Sequence, residues 1–265
     1  RRRDLHRQVG NYLEGANAGH LEPLYEVLVH HFGNCGDRDK LLVYAVKAAG
    51  KARRVFANDE ALAYYRRALD AVNKPARESA YERSYIIERM GDCLETAGRH
   101  ADAANDFYRS LRVWRHTDRH GALPHELSEL KEAVPERARE SSLCHKIGVS
   151  HERNSDYDRS LRWLQSAEWA LPSRQPAQAG QIYITRSVAL FRKGLNNEAV
   201  KWGRLGLAIS RRSRDVRQLA YAHSMLASPY KAMGDLKLAL RHRRSAVALF
   251  DEIGDISGQA VANNN

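Results

Sequence analysis

Five small residues, Ala61, Ala103, Ser160, Ala199 and Ala239, each open a run in which apolar side chains return at helical spacing, and they follow one another at steps of 42, 57, 39 and 40 residues. This rhythm constrains the fold more than any other feature. A unit of about 40 residues holds two helices and a turn, and two helices cannot bury both of their faces alone, so each unit needs neighbours of its own kind.

The clearest copy spans 85–111. Ile87, Met90 and Leu94 lie on one helical face, with Gly91 among them where a neighbouring helix can approach closely, and Gly98 ends the helix. After the turn, Ala103, Phe107 and Leu111 form a second stripe. Earlier in the chain, 5–13 and 21–32 read as helices divided by Gly15 and Gly19, and 40–56 is an Ala-rich helix. Asn58 or Asp59 is expected to cap the next helix, whose inner stripe is Ala61, Tyr65, Ala68 and Leu69, and Pro75 closes that unit. The 57-residue step contains an insertion at about 116–136, where Gly121 and Pro124 mark a turn and 125–134 suits a short outer helix. Further pairs follow at 141–171, 182–209 and 220–250, with Gly194 and Gly234 at matching turns. Pro229 falls inside a predicted helix, where it deletes one backbone hydrogen bond. The expected division is 1–75 and 76–265, in a fragment of a longer chain.

Ala, Arg and Leu dominate and only seven prolines occur, which favours helix nearly throughout. No run approaches the ~20 apolar residues of a membrane span. Cys35, Cys93 and Cys144 are far apart and odd in number, as expected of packing thiols in a reducing cytoplasmic setting. The formal charge of +11 is spread along the chain and interleaved with acids, so nucleic acid is not the expected partner.

These residues resemble the tetratricopeptide family, whose first helix carries a large residue, Leu, Gly or Ala, and Tyr, and whose second carries Ala, an aromatic and Ala. Ile87, Met90, Gly91 and Leu94 with Ala103, Phe107 and Ser110 is the best copy, and Leu226, Ala227 and Tyr230 with Ala239 and Ala246 the next. The copy at 183–207 departs, with Arg186 and Ser187 where Leu and Gly or Ala are expected. The resemblance implies an all-α right-handed superhelical solenoid of antiparallel helix pairs. The first seventy or so residues are also similar to the segment that follows the ATPase in bacterial STAND-type, adenylate/guanylate cyclase-related regulators. That likeness implies a cytoplasmic, non-catalytic protein-interaction arm of a larger regulator, with a small-molecule effector-sensing arm as the alternative.

Chemistry-bearing residues converge poorly. No phosphate-binding loop is present, and no nucleophile elbow or paired carboxylates suggest an enzyme, so no catalytic residue and no cofactor is expected. His116, His120, His125, Cys144 and His145 match no compact zinc spacing, so the histidines read as surface groups, and His30 and His31 are similarly bland. In the resembled family the first helices line the binding groove. Superimposing them here gives a basic row of Arg53 and Arg54, then Arg153, Arg192 and Lys231, with Phe191 and Tyr221 in the same frame. Such a row suits an acidic or carboxylate-ended peptide, or the protein's own upstream NTPase or cyclase module. The same cations also complement helix C-termini without any ligand. Glu88, Asp92 and Glu95 interrupt the row, which directs an anionic ligand toward the C-terminal repeats.

Overall fold

A computed structural model describes residues 1–72, 80–116, 127, 138–172 and 176–264. Among them are thirteen α-helices and no strand. The chain divides into two compact units, 1–134 and 135–265. The first contains α1 (Arg2–Ala16), α2 (Tyr25–Cys35), α3 (Arg38–Arg54), α4 (Asn58–Ala71), α5 (Ala80–Thr96) and α6 (His100–Arg115). The second contains α7 (Arg139–Arg153), α8 (Tyr157–Trp169), α9 (Pro176–Arg192), α10 (Asn196–Ser213), α11 (Val216–Ala232), α12 (Leu236–Glu252) and α13 (Ile256–Asn264). Consecutive helices pack as pairs, α3 with α4, α5 with α6, α7 with α8, α9 with α10 and α11 with α12, and within each unit each pair packs on the next. The fold class is the all-α stack of helix pairs read from the sequence.

One joint recurs in all five pairs. A small residue on the first helix, at Ala49, Gly91, Gly148, Ser187 or Ala227, lies twelve positions before the buried small residue of the second, at Ala61, Ala103, Ser160, Ala199 or Ala239. The space between them is tight. A Cβ on Gly91 would lie 2.6 Å from the Phe107 ring, and one on Gly148 would lie 2.9 Å from Leu164, each large residue standing sixteen positions after its glycine. Ser187 resolves the irregular copy at 183–207. It is fully buried and donates a 2.7 Å hydrogen bond to the Ala199 carbonyl, so a hydroxyl fills the place of a glycine while its polarity is satisfied. In that pair the glycine moves to the second helix, where Gly203 admits Leu226 of the following pair.

A second joint lies seven residues earlier and was not visible in the sequence. Ser84 faces Ser110, Ser141 faces Ala167, Gly180 faces Gly206 and Ala220 faces Ala246, always 26 positions apart. Ser141 Oγ donates to the Ala167 carbonyl at 2.6 Å, and Ser110 Oγ donates to the Ser84 carbonyl at 2.8 Å.

The turn inside each pair is equally regular. Seven residues after the small position the backbone enters the left-handed region, at Phe56, Gly98, Ser155, Gly194 and Gly234. The next amide then reaches back to the helix end, as in Ala57 N–H to the Ala52 carbonyl (3.0 Å) and Arg99 N–H to the Leu94 carbonyl (2.8 Å). That next residue caps the second helix. Asp156 and Asp235 do so with their carboxylates, whereas Ala57, Arg99 and Leu195 give no side-chain cap. Neither Asn58 nor Asp59 is the cap expected for α4; both lie within its first turn, because the left-handed residue is Phe56 and the cap must follow it directly.

Pro229 sits in the last turn of α11, which continues to Ala232. The expected turn at Gly121 and Pro124, the outer helix at 125–134 and the closing Pro75 lie outside the described residues, Leu127 excepted; that leucine is buried. The three cysteines are free and buried. Burial pushes the Cys93 thiol up to about 11.

Candidate functional site

The basic residues at the end of α3 stand over a cleft of about 630 Å³ between α3, the start of α4 and the end of α5. Its lining includes Val46, Gly50, Arg53, Arg54, Tyr65 and Thr96. The geometry follows from the turn. Three basic residues, Lys51, Arg53 and Arg54, occupy the last turn of α3, where they meet the negative end of the helix dipole. The left-handed Phe56 then swings the chain outward, so its ring is 76% exposed at the rim.

Each arginine already has a protein partner. The Arg53 guanidinium lies 3.9 Å from the Asp92 carboxylate, which in turn accepts a 2.6 Å bond from Arg89, and Arg53 also hydrogen-bonds Tyr65. Arg54 pairs with Glu22 ahead of α2. Burial raises the Tyr65 phenol above its ordinary range, so it remains a neutral hydroxyl. Two guanidinium groups beside an exposed ring can receive a carboxylate or phosphate oxygen.

In the second unit the remaining predicted residues are distributed differently. Arg192, at the end of α9, lies 2.8 Å from Glu152 of α7 and so links two first helices. Glu152 is buried. Arg153 is exposed at the end of α7, and Lys231 is exposed in the last turn of α11. Phe191 is partly buried. Tyr221 packs edge-to-face on Phe250, ring centroids 5.0 Å apart, beside Ala220, Ala246 and Ala262, so its ring belongs to the packing between α11, α12 and α13. The structure therefore joins Arg53 with Arg54, and Arg192 with a carboxylate. Of the interrupting acids, Glu88 is buried inside α5's packing, and Glu95 lies 3.3 Å from His100.

Two arrangements gave no sequence signal because their members are far apart in the chain. Glu168 of α8 accepts from the Tyr183 hydroxyl (2.9 Å) and from Arg186 (3.1 Å), and Arg186 stacks 3.9 Å above the Trp202 ring. His223 of α11 and His242 of α12 approach through their Nδ1 atoms at 3.0 Å, with the Tyr230 ring stacked on His242. One histidine also departs from its expected surface setting. His145 is packed so that its Nε2 lies 2.9 Å from Thr185 Oγ1 of α9, and burial pulls its pKa down to about 4. Cys144 is buried, His116 is exposed, and His120 and His125 lie outside the described residues. Among the described residues no three His, Cys, Asp or Glu side chains gather as a metal site, and no helix is long and apolar enough to cross a membrane.

No family model and no curated protein matches the chain. Solved structures do. Aspartyl phosphate phosphatase F from Bacillus subtilis superposes with a TM-score of 0.69 at 12% identity, over 96% of this chain and 63% of that one. BtubC from P. vanneervenii gives 0.60 at 15% identity, covering 96% and 90%. The TPR-like repeats of a putative kinesin light chain from Podosopora anserina give 0.56 at 13% identity, covering 79% and 94%. At such identities the likeness shows the architecture alone, and that architecture is the tetratricopeptide-like stack of helix pairs.

Proposed function

We propose that this chain is a non-catalytic protein-interaction array within a larger cytoplasmic regulator. The observation that carries the reading is the cleft at Arg53 and Arg54, an open, cation-lined surface on a repeated helical scaffold. Its ligand chemistry is an acidic or carboxylate-ended peptide segment. In the second unit Arg153, Arg192 and Lys231, with Phe191, would offer a separate recognition surface, from which Tyr221, packed on Phe250, is left out. The partner's acid must displace Asp92 and Glu22 from the guanidinium groups, so affinity should be modest and salt-sensitive.

The likeness of the first seventy or so residues to the post-ATPase segment of STAND-type, cyclase-related bacterial regulators supports an upstream NTPase or cyclase module as one such partner. An effector-sensing arm would call for an enclosed apolar pocket between pairs. Instead, the α3–α5 cleft and a second cleft of about 460 Å³ beside Arg38, Arg67 and Asp70 are open and carry charged side chains, which favours the interaction reading.

Calorimetric titration of the chain with an acidic peptide bearing a free C-terminal carboxylate tests the proposal. Arg53→Glu with Arg54→Glu should weaken binding about tenfold or more, equivalent to ~1.4 kcal/mol. Unchanged affinity in that variant and in Arg153→Glu with Arg192→Glu would exclude the site.

A further inference from the structure

The second helices of the last two full pairs carry a face that the cleft does not use. On α12, Lys237, Arg241 and Arg244 recur at i, i+4 and i+7, and all three are exposed. On α10, Lys201, Arg204 and Arg211 are exposed, with Arg204 and Arg211 two turns apart. The salt bridges of this region engage other cations, Arg217 with Asp255 and Lys193 with Asp158, and leave these six without a carboxylate within ion-pair distance among the described residues. Glu198, at the start of α10, is the one acid on that helix, and the acids of α12 are confined to its end at Asp251 and Glu252.

Aliphatic side chains run alongside the cations. Leu236 and Leu240 are 65% and 48% exposed one turn apart on α12, and Leu205 is 43% exposed next to Arg204 on α10. α11 packs against both helices. From it, His223 reaches His242 at 3.0 Å, which places the histidine pair between the two basic rows.

We infer that the outward faces of α10 and α12 form a docking surface for an acidic amphipathic helix of a protein partner, whose carboxylates meet Arg204, Arg211 and Arg241 and whose apolar stripe covers Leu205, Leu236 and Leu240. Charge complementarity selects the acid. The parallel aliphatic stripe selects a polypeptide over the two other polyanions. Single-stranded nucleic acid is held by aromatic stacking between cations, and no aromatic ring is exposed among these residues. A membrane surface requires a continuous apolar face along a helix, and three leucines do not supply one. The partner's being a protein is shared with the proposed function, but the residues are not.

The histidine pair makes this surface sensitive to pH. The groups facing it are Arg204 and Arg211 from α10, Arg241 from α12 and the stacked Tyr230 from α11. Burial and these cations hold both imidazoles below their ordinary pKa, His223 at about 4. A carboxylate arriving above the pair offsets that repulsion and lets a proton bind, so affinity should rise as pH falls toward about 5.5, where a glutamate ligand remains largely ionised.

Fluorescence anisotropy with a labelled Glu/Leu amphipathic helical peptide tests the surface. Arg204→Glu with Arg241→Glu should weaken the intact chain's affinity about tenfold or more. The milder Arg204→Gln with Arg241→Gln, checked for unchanged thermal melting, should weaken it in the same direction. His242→Gln should keep binding at neutral pH and lose the gain at lower pH. Equal affinity in both arginine variants would overturn the inference, as would capture of single-stranded DNA or phosphatidylserine vesicles without capture of the peptide. Loss of peptide binding in Arg53→Glu with Arg54→Glu alone would place the contact in the α3–α5 cleft and overturn this surface while leaving the proposed function standing.

Discussion

The five left-handed turn positions are chemically unequal, and the inequality is measurable. Gly98, Gly194 and Gly234 adopt φ of 75°, 85° and 83° without a Cβ, whereas Phe56 and Ser155 hold φ of 58° and 61° against the clash that β-carbons meet there. Ser155→Gly should raise stability by about 0.5–1 kcal/mol, the relief of strain exceeding the entropy that glycine adds to the unfolded chain. Thermal or urea denaturation checks the sign. The joint beneath Gly91 behaves in the opposite way. Gly91→Val should cost about 2–3 kcal/mol through overpacking against Phe107, and Phe107→Leu in the same chain should recover part of that loss. The glycines and their large partners were legible as a pattern of small and large residues. Ser187 was not legible as the small member of its pair, because a serine announces neither its burial nor its hydrogen bond to Ala199.

Element by element, the chain caps its second helices unevenly. Asp156 and Asp235 accept from the backbone amides three residues on, at 3.2 and 3.1 Å, while Leu195 occupies the equivalent place above α10 and offers nothing. Leu195→Asp should therefore stabilise by about 1 kcal/mol, seen as a higher unfolding midpoint. The α11–α12 pair adds a pH term. Because the folded-state pKa values of His223 and His242 lie below the ordinary imidazole value, folding favours their neutral forms, and the unfolded chain binds protons more readily. That contribution is complete above about pH 6.5 and is lost as pH falls toward 4, so the melting temperature should decline over that window and decline less in His242→Phe. Helix order and turn glycines were readable from spacing alone. The contact between His223 and His242 was not, because it joins two helices at a separation with no helical period.

At the scale of the whole chain, the likeness to solved helical arrays and the repeated joints agree on the architecture, whereas the partner is a matter of surface chemistry. In sequence the basic row reads as cations broken only by the acids of α5, Glu88, Asp92 and Glu95. In the structure Arg53, Arg54 and Arg192 meet Asp92, Glu22 and Glu152, acids from elsewhere in the chain that no local pattern pairs with them. The joints also have a bearing on which length changes the chain can accept. Within every pair the small residue, the left-handed turn and the cap fall at fixed intervals, so one added residue between Gly91 and Ala103 would rotate the second helix by about 100° and turn its stripe away from its partner. Between pairs no such interval holds, and the connections run from the two residues separating α10 and α11 to the 23 separating α6 and α7. Extra sequence, whether acquired by descent or by design, is thus admitted where one pair hands over to the next, and the chain can gain new surface there without altering the geometry of any pair.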